Sequence, residues 1–96
     1  MIKKVFTVYD VKAECYMDPF MFTNKGEAIR GFTDLLKEGK SMIAMHPEDF
    51  TLFYIADFDT DKGTYKSFAP VSLGAALEFM PVVQKELDNV DLKVVG

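Results

Sequence analysis

Ninety-six residues make one domain, and a chain this short buries only about 60–65% of the surface that it exposes when unfolded, so each large apolar residue counts. Apolar residues at 49% and aromatic residues at 14% exclude a disordered chain and allow a core without metal or disulfide support. Fifteen acids against eleven bases give a formal charge of −4, which opposes non-specific attraction to phosphate backbones and anionic membranes.

Residues Ile2 to Val11 alternate, with Ile2, Phe6 and Val8 on one side and Val5, Thr7, Tyr9 and Val11 on the other. That is strand periodicity in β-prone residues. Lys12-Ala13-Glu14 interrupts it, and Cys15 to Met17 offers a short returning strand, a tight hairpin that ends at Asp18-Pro19. Proline lacks a backbone donor, so further pairing is not expected beyond it. Asn24 is a helix cap with Glu27 three residues on. Ala28, Ile29, Phe32, Leu35 and Leu36 then recur at helical spacing up to Gly39, a left-handed stop. Arg30 and Asp34 fall on the opposite, solvated side, four residues apart.

Ser41 to Met45 is apolar but short, and His46-Pro47-Glu48-Asp49 reads as a turn. The run Phe50 to Phe58 is apolar at nearly every position, which predicts a central strand covered on both faces. Asp59 to Gly63 is a loop, and Thr64 to Phe68 returns as the second arm of a hairpin. Pro70 is expected to end that strand, with Ser72 capping a short helix that runs to Leu77 or Met80. Residues 81–96 have only partial periodicity and are expected to form a mobile extension of the single domain. These readings predict an α+β fold: a small antiparallel or mixed sheet of about four strands in two hairpins, packed against one main helix, with a short C-terminal helix.

Few side chains here can do chemistry. Asp57, Asp59 and Asp61 alternate as in a calcium loop, but glycine arrives one place late and Phe68 stands where a bidentate Glu is needed. An acidic hairpin turn is the simpler reading. His46, the only histidine, lies near Glu48 and Asp49, and would serve a metal only if distant residues or a second subunit completed the ligands. Pairing of Cys15 with His46 as nucleophile and base would need an activating hydrogen bond and an orienting third group; Cys15 reads more simply as a small apolar strand residue. The chain therefore carries no expected catalytic residue, metal or cofactor, and is read as a non-enzyme. Thr23-Asn24-Lys25-Gly26 opens a helix, where free backbone donors and Lys25 could hold a phosphate as a weak anion site, although a plain helix cap is the simpler reading.

One cysteine cannot form an internal bridge, no charged-then-apolar leader opens the chain, and no apolar run approaches the roughly 20 residues of a membrane helix. A reducing cytoplasm is expected, without membrane association. Single-stranded nucleic acid needs exposed rings for base stacking with cations nearby for phosphates. Tyr9 and Tyr16, with Lys4, Lys12 and Lys25 close by in sequence, are the candidates; the competing reading packs these rings into the core or a dimer interface. Arg30, the only arginine, is a further phosphate candidate.

The ordered segments Phe6-Thr-Val-Tyr-Asp10, Lys12-Ala13-Glu14, Pro19-Phe20, Lys25-Gly26, Ala28-Ile29-Arg30 with Phe32, His46-Pro47-Glu48-Asp49-Phe50 with Leu52-Phe53, and Pro70 with Ser72-Leu73-Gly74 cover most of residues 1–78. In this order the chain resembles the small non-structural protein of gokushovirus-type Microviridae, single-stranded DNA phages. The resemblance implies an accessory protein of the infected bacterial cytoplasm, absent from the mature particle. It also implies help with single-stranded DNA synthesis and packaging, through DNA itself or through the viral replication and capsid assembly proteins. A homodimer is expected from the surplus of rings. The alternative is a protein-interaction module, such as an inhibitor of a host enzyme, that binds no nucleic acid.

Overall fold

A computed structural model of the chain describes residues 1–80. Five strands form one antiparallel sheet: β1 (Ile2–Asp10), β2 (Cys15–Tyr16), β3 (Phe20–Phe22), β4 (Phe50–Asp59) and β5 (Thr64–Ala75). Their order is β2-β1-β4-β5, and β3 pairs β1 beside β2 on the same flank. The main helix α1 (Lys25–Glu38) and the one-turn helix α2 (Met42–Met45) separate β3 from β4. A 3-10 turn (Pro47–Asp49) leads into β4, and residues 76–80 are helical. The α+β class, the two hairpins, the main helix and the C-terminal helix are as the sequence predicts. The expected C-terminal extension, 81–96, lies outside the described residues.

Helix α1 begins where Asn24 Oδ1 accepts the Glu27 N–H at 2.9 Å, and ends at Gly39, whose φ of 70° is left-handed. Ala28, Phe32 and Leu36, spaced by four, are its buried stripe. The stripe packs on Phe6, Val8, Phe50, Leu52 and Tyr54, which β1 and β4 point to one side. Phe6 lies at the centre, with its ring 6.1 Å from Phe20, 6.4 Å from Phe22 and 5.5 Å from Tyr54. Ala76 is buried in the same cluster and Phe79 sets its ring edge-on to Phe32, so residues 76–80 also close this face. Each large side chain removed from water contributes roughly 1.5–3 kcal/mol.

The sheet differs from the expectation in four places. Pro19 does not end pairing: the chain resumes at Phe20, and β3 returns along β1 with Lys4 opposite Phe22 and Phe6 opposite Phe20. Burial of Phe20 and Phe22 against Phe6 drives that return. Nor does Pro70 end β5. Tyr54 pairs with Val71 and Ala56 with Ser67, so Phe68-Ala69-Pro70 bulge opposite Ile55 and the donor-less proline sits within the irregularity. Ser72 is consequently a strand residue opposite Phe53, and the helix begins only after Ala75, whose N–H donates to Glu78 Oε2 at 3.2 Å. Finally, β4 is not sealed on both faces along its length. Phe50, Leu52 and Tyr54 are buried on the helix side, Ala56, beyond the irregularity at Ile55, is buried on the other face beside Val5, and the residues between them are half-buried.

Candidate functional site

Cross-strand partners point to the same side of a sheet, so the pairing fixes which residues share the face away from α1. They are Lys3, Val5, Thr7 and Tyr9 of β1, with Tyr16 and Met21 on one flank. Thr51, Phe53, Ala56 and Phe58 of β4 and Tyr65, Ser67, Ser72 and Ala75 of β5 complete the face. None of these positions is acidic, and Lys3 is the only charge. Asp10, Asp57 and Asp59 take the alternate positions and face the helix side. A chain with an excess of acid has thus kept one sheet face free of it.

Rings gather at both ends of this face. Tyr9 and Tyr16 stand opposite one another with centroids 4.8 Å apart, and Tyr16 turns its edge to Phe53 at 5.6 Å. At the other end Phe58 and Tyr65 are 4.8 Å apart. Tyr16 is 47% exposed, so its ring is available to a ligand. Between the ends lies a cleft of about 420 Å³ lined by Thr7, Met17, Pro19, Ile55, Phe68 and Pro70, among others. Thr7 is satisfied there, its hydroxyl donating to the Met17 carbonyl at 2.7 Å. Lys12 lies in the β1–β2 turn, which Asp10 shapes by accepting the Lys12 and Ala13 N–H groups at 3.0 and 3.2 Å.

The six residues predicted from sequence are divided by the fold. Tyr9 and Tyr16 meet at one end of the acid-free face, and Lys12 lies in the turn that joins their strands. Lys4 and Lys25 do not join them: both belong to the helix side, where their ammonium groups lie 5.0 and 5.3 Å from the Tyr54 ring centroid. Lys4 Nζ donates to the Tyr54 hydroxyl at 3.3 Å, and that hydroxyl donates to Asp57. Burial, and then the Asp57 hydrogen bond, raise the Tyr54 pKa above the ordinary tyrosine value. The periodicity of β1 already put residue 4 opposite residues 5, 7 and 9, a conflict that proximity in sequence concealed. Arg30 is exposed on α1, in a shallow depression with Phe22, Glu27 and Asp34, and Asp34 pairs with Lys37 at 3.6 Å rather than with Arg30. Sequence reasoning missed Phe53 and Lys3; their signal was the alternation in β4 and β1.

The carboxylates of Asp57, Asp59 and Asp61 have local partners. Asp59 Oδ1 accepts the Asp61 and Lys62 N–H groups at 2.9 and 3.2 Å, Asp61 pairs with the N-terminal ammonium at 2.9 Å, and Asp57 takes the Tyr54 hydroxyl. The three carboxylates are therefore committed separately. His46, Glu48 and Asp49 do come together, with ligand-type atoms all within 4.8 Å of one another, at an open turn. Cys15 is exposed in β2, not a packed apolar residue, because that two-residue edge strand has no cover on either side. No hydrogen bond joins it to His46 among the described residues.

Fold and surface together define a small α+β protein with one helix-covered sheet face and one ring-bearing, acid-free face. The chain belongs to the phage ORF5 protein family, whose model matches residues 3–79. It is 40% identical over 73 residues to "Protein ORF5" of Chlamydia phage 1, a match that covers 72% of this chain and 73% of that protein. No solved structure matches. The resemblance to gokushovirus-type Microviridae is borne out, and the protein is a phage accessory protein. No helix among the described residues is long and apolar enough to cross a membrane.

Proposed function

We propose that this accessory protein assists single-stranded DNA synthesis and genome packaging in the host bacterial cytoplasm, and that it works by binding rather than by turnover. Single-stranded DNA is the ligand that the acid-free face suits best. The supporting observation is the exposed Tyr16 ring, backed by Tyr9 and Phe53 on a sheet face without a carboxylate. Bases stack on such rings whatever their sequence, at about 1–3 kcal/mol per base. Lys12 and Lys3, toward the two ends of the face, supply cations for phosphates. The overall acidity of the chain keeps non-specific binding weak, which suits a factor that must release DNA to the particle.

A second reading has its own observation. The cleft between the two ring clusters is almost wholly apolar, and an apolar side chain of a replication or capsid assembly protein would fill it without DNA. Affinity capture from phage-infected cells separates the two. Viral single-stranded DNA recovered with the wild-type protein and lost with Tyr16→Ala supports DNA as the ligand; replication or capsid proteins recovered from nuclease-treated lysate support the protein partner. Enrichment of neither contradicts the proposal.

A further inference from the structure

The two edges of the sheet are built differently. On the β1 side the edge consists of β2 and β3, two and three residues long and interrupted at Met17–Pro19. Short, broken edges resist pairing with another chain. The opposite edge is β5, twelve residues long, of which Thr64 to Ser72 are all exposed. Edge strands of monomeric proteins are normally guarded by charge, yet β5 contains one charged residue, Lys66, in a chain that is 27% charged. Apolar side chains occupy the positions instead: Tyr65 is 61% exposed, Val71 45% and Phe68 36%. The bulge at Phe68-Ala69-Pro70 and a second register shift at Leu73 interrupt the edge, which leaves Thr64–Ser67 as its straight arm.

We propose that β5 is a dimerisation edge, which pairs antiparallel with β5 of a second copy to make one continuous sheet across a two-fold axis. The choice of a second copy follows from charge and closure. Each chain carries an excess of four negative charges, and β5 is a lane along which two copies approach without carboxylate meeting carboxylate. Antiparallel self-pairing uses the same surface on both partners, so it consumes the one long exposed edge among the described residues of each chain. The edges that remain are the blunted β2/β3 flanks, so assembly stops at two. The axis runs through the sheet, so both acid-free faces emerge on the same side. The inference does not depend on what those faces hold.

Sedimentation of the full chain, with a charge-swap pair at the exposed Ser67, tests it. The wild type is expected to be a dimer at micromolar concentrations. Ser67→Glu and Ser67→Lys, each with an unchanged circular dichroism spectrum, are each expected to weaken it at least about tenfold through like-charge repulsion. An equimolar mixture of the two is expected to recover the dimer. A wild type that remains monomeric up to millimolar concentration overturns the proposal, and so does a dimer that both variants leave intact. If a variant fails to fold, hydrogen exchange of the wild type decides: protection of Thr64–Ser67 amides must rise with protein concentration, and its constancy overturns the proposal.

Discussion

Tyr9 and Tyr16 face one another across the β1–β2 ladder, 4.8 Å between ring centroids, on the face of the sheet away from α1. That pair and Phe53 form the ring surface on which the DNA reading rests. Replacement of Tyr16 by Ala is expected to weaken single-stranded DNA binding by about 1–3 kcal/mol, roughly 5- to 150-fold. Its fold should survive, because Tyr16 lies on an exposed two-residue strand outside the main core. Fluorescence anisotropy with a labelled oligonucleotide measures the first, and thermal unfolding the second.

The division of the cations yields a paired comparison. Lys12→Ala is expected to reduce the salt dependence of binding by about 0.7 in log–log slope, the loss of one phosphate contact to a single strand. Arg30→Ala should leave the slope unchanged, since Arg30 sits on the outer side of α1 beside Glu27 and Asp34. Equal effects of the two substitutions would place the DNA elsewhere.

Tyr54 links the charged end of the helix side to the core. Tyr54→Phe removes the hydroxyl that donates to Asp57 and accepts from Lys4, and is expected to cost about 1–2 kcal/mol of stability at neutral pH. The pH dependence has a definite sign. The folded protein holds the Tyr54 hydroxyl protonated above its ordinary pKa, so this contribution is complete below the unfolded value and is lost as pH rises through the folded one. Denaturant titrations above pH ~10 should show the wild type losing its advantage over Tyr54→Phe.

Gly74 carries the turn from β5 into the last helical residues. Its φ is 132°, and an added Cβ would lie 2.7 Å from Glu78 Oε2 and 3.1 Å from the Phe79 ring. Gly74→Ala is expected to destabilise by roughly 1–3 kcal/mol from backbone strain and crowding. Because Phe79 packs on Phe32, loss of near-ultraviolet dichroism should accompany the change. An unaltered melting temperature would contradict this account of the turn.

Local signals made much of the fold legible. Asn24, Glu27 and Gly39 marked α1 to within a residue, and alternation in β1 separated its two faces correctly. What stayed hidden was set by tertiary contact. Pro19 and Pro70 are strong local stop signals, but Phe20 and Phe22 gain more from packing on Phe6 than the proline costs, and the bulge opposite Ile55 absorbs Pro70. The site was half legible for a related reason. Nearness in sequence grouped Lys4 and Lys25 with Tyr9 and Tyr16, whereas the pleat sends residue 4 to the face opposite residue 9.

The central claim is tested most directly by titrating a labelled single-stranded oligonucleotide with wild-type protein and with the Tyr9→Ala/Tyr16→Ala double variant at low and moderate salt. Saturable binding by the wild type that weakens as salt rises and is lost in the double variant is the predicted result. No binding by the wild type at low salt, or equal binding by both proteins, would contradict it.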